Sequence, residues 1–420
     1  MARSPYKFLL FVSVSVFALR HFINLPSSEE IVTTEEAIFD SYNQIKSYEN
    51  PVQIGSLETV PYKPGFCVFY NFFKSNPKLS DKIGLALHST PNLLTFIVKQ
   101  LQTFDSIISL SLFVPYEIEE IHKIELLFNA LEGLRMSYDT SKLSIHIVMS
   151  AKSPRCPLIT YRKWGNLLLG NRNFVDTMLS DLSNVPSISK VIYPINMLRN
   201  IARIPLKTKY FISGDIENIF SDNYLKFLNK NVDELMMKEK KTVLIHRRFE
   251  FDHTFVQENI PNNFWTLKML FFRRWARVFH QRVNEKGHSI DGLEDWLRNG
   301  ENFGVQMDLK YNNSMWEPQF VAWNVATVPF HDENFIYRLR SNVEWVYELC
   351  RAGFRFRVLN SVFTVHRGFK TSENPDFVAL IRRSVQSGQF SRIIRDFRLR
   401  LDRGYPSSTH RCPVFAPEIE

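Results

Sequence analysis

The chain has 420 residues, 45% of them hydrophobic, a formal charge of +9 at pH 7 and a pI near 9.2. It can bury a large core as one big domain or two lobes, and its charge favours anionic partners: nucleic acid, membrane surfaces, nucleotide sugars or acidic glycans. Nucleic acid is set aside because the basic residues are scattered and no zinc-finger spacing or RNP-like motif occurs.

Arg3 and Lys7 precede a mostly apolar stretch, residues 8–19, which Arg20 and His21 interrupt before 22–25. The segment is short for a spanning helix. It reads as a signal peptide lacking a clear cleavage site, as a signal anchor (8–25) behind a cytoplasmic tail (1–7), or as a core helix; the first two put the body in the secretory lumen. Residues 26–80 begin polar and acidic, through Glu29, Glu30, Glu35 and Glu36, and read as a stem.

Strand-like runs at 82–87, 107–114 and 143–149 alternate with helical stretches. This predicts an α/β fold with a mostly parallel sheet flanked by helices, and ligands at the carboxyl ends of its strands. Residues 193–203 predict a helix with Met197, Leu198, Ile201 and Ala202 toward a core. Its polar positions Asn196, Arg199, Asn200 and Arg203 share one face, which is either a solvated side or part of a site.

The most specific run follows at 208–217, where an apolar stretch ends in Asp215 and Glu217. On an extended backbone two carboxylates at i and i+2 converge on one hard cation, Mn²⁺ or Mg²⁺, with Ile216 behind them. The plainer alternative is a strand running into a charged turn. Asn312-Asn313-Ser314 is a glycosylation sequon, Trp316-Glu317-Pro318 offers a flat ring and a carboxylate, and residues 341–353 are amphipathic. Cys67, Cys156, Cys350 and Cys412 allow two disulfides in three connectivities, with Cys350 also readable as a buried free thiol.

Taken in order, the segments Ile83 to Thr90, Tyr193 to Arg203, D-x-E, Phe249-Glu250, Lys286-Gly-His288, W-E-P and Val365-His-Arg-Gly-Phe-Lys370 resemble glycosyltransferase family 49, whose members elongate glycans on dystroglycan. The resemblance spans about residues 81–372 and departs from the family at Glu217, where D-x-D is usual, and at Arg247-Arg248, where small or apolar residues are usual. It implies a GT-A-type, Rossmann-like domain over 81–372, a C-terminal extension over 373–420, and a Golgi type II protein, which selects the membrane anchor among the N-terminal readings. It implies a UDP-sugar donor (glucuronate, xylose or N-acetylglucosamine), a glycan or glycoprotein acceptor, and assembly as a homodimer or with another transferase.

In that reading Asp215, Glu217 and His366 hold Mn²⁺ or Mg²⁺, with His366 otherwise a structural histidine. His88, Asn196, Arg199, Arg367 and Lys370 bind the nucleotide diphosphate. Inversion requires a base for the acceptor hydroxyl: Glu317 first, with Asp332 and Glu344 as alternatives, and Trp316 as a sugar-stacking wall. The departures leave a second reading open, a catalytically silent member that binds glycans or chaperones another transferase.

Overall fold

The computed structural model describes residues 53–415 apart from 79–80, 116–119, 152–154, 185–192, 237–238, 255–259, 336 and 373–374. The tail and anchor segments lie outside the described residues. Among those described, no helix is long and apolar enough to cross a membrane.

The strands are β1 (Gln53–Glu58), β2 (Val60–Lys63), β3 (Phe66–Phe73), β4 (Ile83–Ser89), β5 (Ile108–Val114), β6 (Leu143–Ser150), β7 (Leu158–Lys163), β8 (Tyr210–Asp215), β9 (Ile219–Phe220), β10 (Thr242–Phe251), β11 (Ala276–Val278), β12 (Gly304–Leu309), β13 (Gln319–Trp323) and β14 (Arg355–Arg367). Twelve form one sheet, ordered β12-β14-β10-β13-β8-β4-β5-β6-β3-β2, with β11 on β10 and β9 on β14; β1 and β7 pair separately. Every residue of β4 and β5 is buried, the apolar run that a strand covered on both faces requires.

The sheet is mixed rather than mostly parallel. β6, β5, β4 and β8 form a parallel block, and β10 pairs parallel with β14. β13 runs antiparallel between β8 and β10, and β3 lies antiparallel to β6. A buried strand carries the same apolar pattern in either direction, so its sequence does not report which way it runs.

This topology fixes where a site can form. β4, β5, β8, β10 and β14 all point their carboxyl ends to one edge of the sheet, and the reversed β13 brings its amino end, just after Glu317, to that same edge.

The folded body exceeds the predicted domain at both ends. β2 and β3 extend the sheet, and Cys67 in β3 is bonded to Cys156, so the segment read as stem is folded from Gln53 onward. The supposed C-terminal extension supplies the helices Pro375–Gln386 and Gln389–Gly404. Phe390, Ile394, Phe397 and Leu401 share a core with Val343, Val346 and Leu349 of the wholly buried helix Val343–Arg351. Cys350 bonds to Cys412, so it is not a free thiol, while Asn312 of the sequon is exposed.

Candidate active site

The helix Ile195–Arg203 packs against β4 and β5, and all nine of its residues are buried, the polar ones included. Its polar face is therefore not solvated. Asn200 Nδ2 donates to the His331 carbonyl at 2.9 Å, and its Oδ1 accepts from the His331 amide at 3.0 Å. Arg203 donates to the carbonyls of Pro329, Val328 and Val325, with its guanidinium 4.3 Å from the ring centres of both Phe211 and Phe330. Asn196 donates to the Asp332 carbonyl and the Glu344 carboxyl and accepts from Arg199. Three of the four side chains thus clamp residues 325–344 rather than facing a ligand. Arg199 alone reaches the cavity described next.

That cavity, of about 1030 Å³, opens at the carboxyl edge of the sheet. His88 and Asp215 sit side by side in register on β4 and β8. The strand ends at Asp215, so Glu217 reaches the cavity from a turn and not along an extended chain; Ile216 packs into the core as predicted. Asp215 Oδ1 lies 3.4 Å from His88 Nε2 and 3.8 Å from Arg199 Nη2, and Oδ2 lies 3.5 Å from Arg248 Nη1. Burial alone would raise the Asp215 pKa, but contact with His88, Arg248 and Arg199 outweighs it and holds the carboxyl ionised far below the usual range.

Burial pushes the His88 pKa down, so its ring is neutral. Since a carboxylate only accepts, Nε2 carries the proton toward Asp215, leaving Nδ1 to accept from the Tyr193 hydroxyl at 2.8 Å.

Glu317 lines the same cavity. Its Oε1 accepts from Asn284 Nδ2 at 2.6 Å and lies 3.5 Å from His288 Nε2. Burial raises its pKa, against the lowering effect of Arg248. The K-G-H motif explains this placement: the Gly287 carbonyl accepts from the Glu317 amide at 2.9 Å, and a Cβ at Gly287 would overlap the Asn284 amide. Trp316 points the other way, 5% exposed against Tyr311 and Phe356, so it is core and not a sugar-stacking wall.

On β14 His366 Nε2 lies 3.7 Å from Glu217 Oε1. Burial lowers the His366 pKa, but the Glu217 contact more than compensates, so the net shift is upward. Gly368, at φ +86°, turns the chain back as its amide bonds the Phe251 carbonyl, and Arg367 and Lys370 come to line the cavity. Asp332 and Glu344 do not line it. Asp332 pairs with Arg400 at 3.3 Å, and Glu344 is a fully buried partner of His331, its pKa well raised first by burial. In F-E, Glu250 is buried against Arg277.

Arg248, like Asn284 and His288, is a cavity residue that the sequence reading did not assign to the site. Its guanidinium, 7% exposed, stacks 4.0 Å over the Phe279 ring and faces both Asp215 and His288. Two adjacent arginines interrupting a buried strand were the available signal. They have separate roles, because Arg247 turns away to bond the carbonyls of Ile290 and Asp291.

Residues 82–402 match the family described as glycosyl-transferase for dystroglycan. The chain belongs to this family of glycosyltransferases. Among its relatives, β-1,4-glucuronyltransferase 1 of Danio rerio is 24% identical over 89% of this chain and 83% of its own length. The Mus musculus protein of the same name is 28% identical over 52% and 50%, and the glycosyltransferase-like protein LARGE of Caenorhabditis elegans 24% identical over 54% and 37%. Among solved structures, GalNAc-T7 with UDP, GalNAc and Mn²⁺ aligns over 71% of this chain and 46% of its own, at 9% identity and a TM-score of 0.35.

Two carboxylates and an imidazole are suitable donors for Mn²⁺ or Mg²⁺, and Asp215, Glu217 and His366 all line the one cavity. Among the described residues, however, no three His, Cys, Asp or Glu side chains stand close enough together to hold an ion. In this arrangement Arg248 and Arg199 neutralise Asp215, and His366 pairs with Glu217. The residue types fit the ion, and ligation requires a neutral His366 imidazole and a Glu217 carboxylate turned from it.

Proposed function

We propose that this glycosyltransferase moves a sugar from a UDP-sugar to a glycan hydroxyl with inversion, using Mn²⁺ or Mg²⁺. The observation that carries the reading is that one cavity at the carboxyl edge of the sheet is lined by both the ionised Asp215 cluster and the Glu317 carboxyl held by Asn284. Ligand sites of open α/β sheets belong at that edge.

Asp215, Glu217 and His366 are the residues to hold the ion, which when bound offsets the charge appearing on the diphosphate. Arg367 and Lys370, with the Arg199 side chain, orient the phosphates. The acceptor oxygen attacks the anomeric carbon as the bond to the diphosphate oxygen breaks, and the electron pair leaves with UDP. Glu317 takes the acceptor proton, held in place by Asn284.

Relatives bearing glucuronyl- and xylosyltransferase names favour glucuronate or xylose as donor sugars, with N-acetylglucosamine as the third option. Two disulfides favour an oxidising compartment, in keeping with a Golgi type II protein.

The test is UDP release by the purified protein from UDP-glucuronate, UDP-xylose and UDP-N-acetylglucosamine, with calorimetric UDP titration with and without Mn²⁺. Metal-dependent binding lost in Asp215→Asn, together with turnover of one donor, is expected. UDP binding without turnover of any donor and acceptor would favour the silent reading, and unchanged metal-dependent affinity in Asp215→Asn would refute the ligand assignment.

A further inference from the structure

Behind the turn that follows β14 lies a buried ion pair that the mechanism above does not use. Glu250 of β10 is fully buried, the Arg277 side chain of β11 is 12% exposed, and neither lines the cavity. β11 is a three-residue strand set beside the end of β10 with Arg277 opposite Glu250, and on the other side of β10 Glu250 stands opposite His366 of β14. Residues in register project from the same face of a sheet, so the pair lies against the run where β14 ends and turns.

Both members direct their remaining bonds to one residue of that turn. One Glu250 oxygen accepts from Arg277 Nε, and the other accepts from the Lys370 amide at 3.4 Å. Arg277 Nη2 donates to the Lys370 carbonyl at 3.2 Å, and the guanidinium stacks 4.0 Å from the centre of the Phe369 ring. The Lys370 backbone is thus held at its amide and at its carbonyl by the two members of one pair. Since the Gly368 amide also bonds the Phe251 carbonyl at 2.8 Å, each of residues 368–370 is fastened to β10 or β11.

A buried ion pair contributes little net stability, because desolvating two charges offsets their attraction. What it supplies is direction: a carboxylate and a planar guanidinium fix the groups they bond. The group fixed here brings a lysine onto the cavity.

We infer that Glu250 and Arg277 are positioning residues, a two-armed brace on the Lys370 backbone that aims the Lys370 ammonium at the diphosphate of the donor. This rests on the assignment of Lys370 to the diphosphate above.

The experiment removes the pair as a unit, because deleting one member strands a buried charge and endangers the fold. Glu250→Gln and Arg277→Met are made together in the full-length protein, with and without Lys370→Gln. UDP affinity is measured by calorimetry in saturating Mn²⁺, and unfolding temperature by a thermal scan. The paired variant should unfold near the wild-type temperature yet bind UDP roughly tenfold more weakly, the worth of one charge-assisted bond, and Lys370→Gln alone should do the same. All three substitutions together should cost no more than either set, because the ammonium is already off its target. A general loosening of the domain would act whether or not residue 370 is charged, so its cost would add to that of Lys370→Gln. Arg277→Lys, which keeps the charge and gives up the planar fork, takes the place of the paired variant should that one not fold.

Wild-type UDP affinity in the paired variant overturns the brace, and so do losses that add to that of Lys370→Gln; both leave the donor reading standing. Wild-type affinity in Lys370→Gln overturns the assignment of Lys370 to the diphosphate, and the brace with it. A wild-type protein that binds no UDP overturns the donor reading itself.

Discussion

Replacing Glu317 by glutamine tests the chemistry while leaving the architecture nearly untouched. The amide keeps an oxygen to accept from Asn284 Nδ2, which now donates to Glu317 Oε1 at 2.6 Å, and keeps the volume. The amide cannot take up the acceptor's proton. Loss of a positioned general base costs about 10²–10⁴ in kcat, or roughly 3–5 kcal/mol of transition-state stabilisation. UDP affinity should stay as in the wild type, because the Glu317 side chain touches Asn284 and His288 and no diphosphate residue.

The pH profile adds a second signature. Burial raises the Glu317 pKa, with Arg248 opposing. A protonated carboxyl is no base, so wild-type kcat/KM should fall with acid along a limb that lies above the ordinary glutamate range, and the glutamine variant should lack that limb. UDP release across pH and calorimetric UDP titration give both readouts. A variant with wild-type kcat, or with the acid limb intact, would refute the assignment of Glu317.

Gly287→Ala should lower kcat by up to about 10²-fold, the cost of a misplaced catalytic group, with unfolding temperature preserved; it pushes Asn284 off Glu317, and undiminished turnover would separate the motif from catalysis. Glu344, its pKa raised by burial and then by Asp332 and Glu348, keeps a proton in the fold that the unfolded chain releases. The stability this contributes is fully present below the unfolded value near 4.5 and is lost as pH rises through the folded value. Unfolding temperature should therefore decline toward alkaline pH, and Glu344→Gln should flatten that decline in a thermal scan. Arg203→Met removes three hydrogen bonds to carbonyls, of which Pro329 keeps the Trp345 indole and Val325 the Val328 amide as donors, at about 1 kcal/mol each and so up to roughly 3 in all by chemical denaturation; an unaltered midpoint would mean the clamp contributes nothing. Cys412→Ser should destabilise by about 2–4 kcal/mol, since the bond to Cys350 ties the end of the chain to the core, and a wild-type unfolding curve would contradict it.

Local order was legible in the sequence wherever a short stretch carries its own physics. The apolar runs that became β4, β5 and β6 and the helix before β8 follow from periodicity, and Asp215 from carboxylates that close an apolar run, whereas His366 and Glu317 were drawn to the same cavity by the family resemblance. Tertiary structure alone decided what those residues face. Asn196 and Arg203 have the same composition and spacing whether they meet a phosphate or the carbonyls of residues 325–332, and only the course of that distant segment settles it. Arg248 read as an intrusion until β10 was set two strands from β8, across β13, with its guanidinium on Asp215. The direction of β13, which brings Glu317 to the catalytic edge, leaves no trace in a buried pentapeptide, because side-chain alternation has the same period along a strand whichever way it runs.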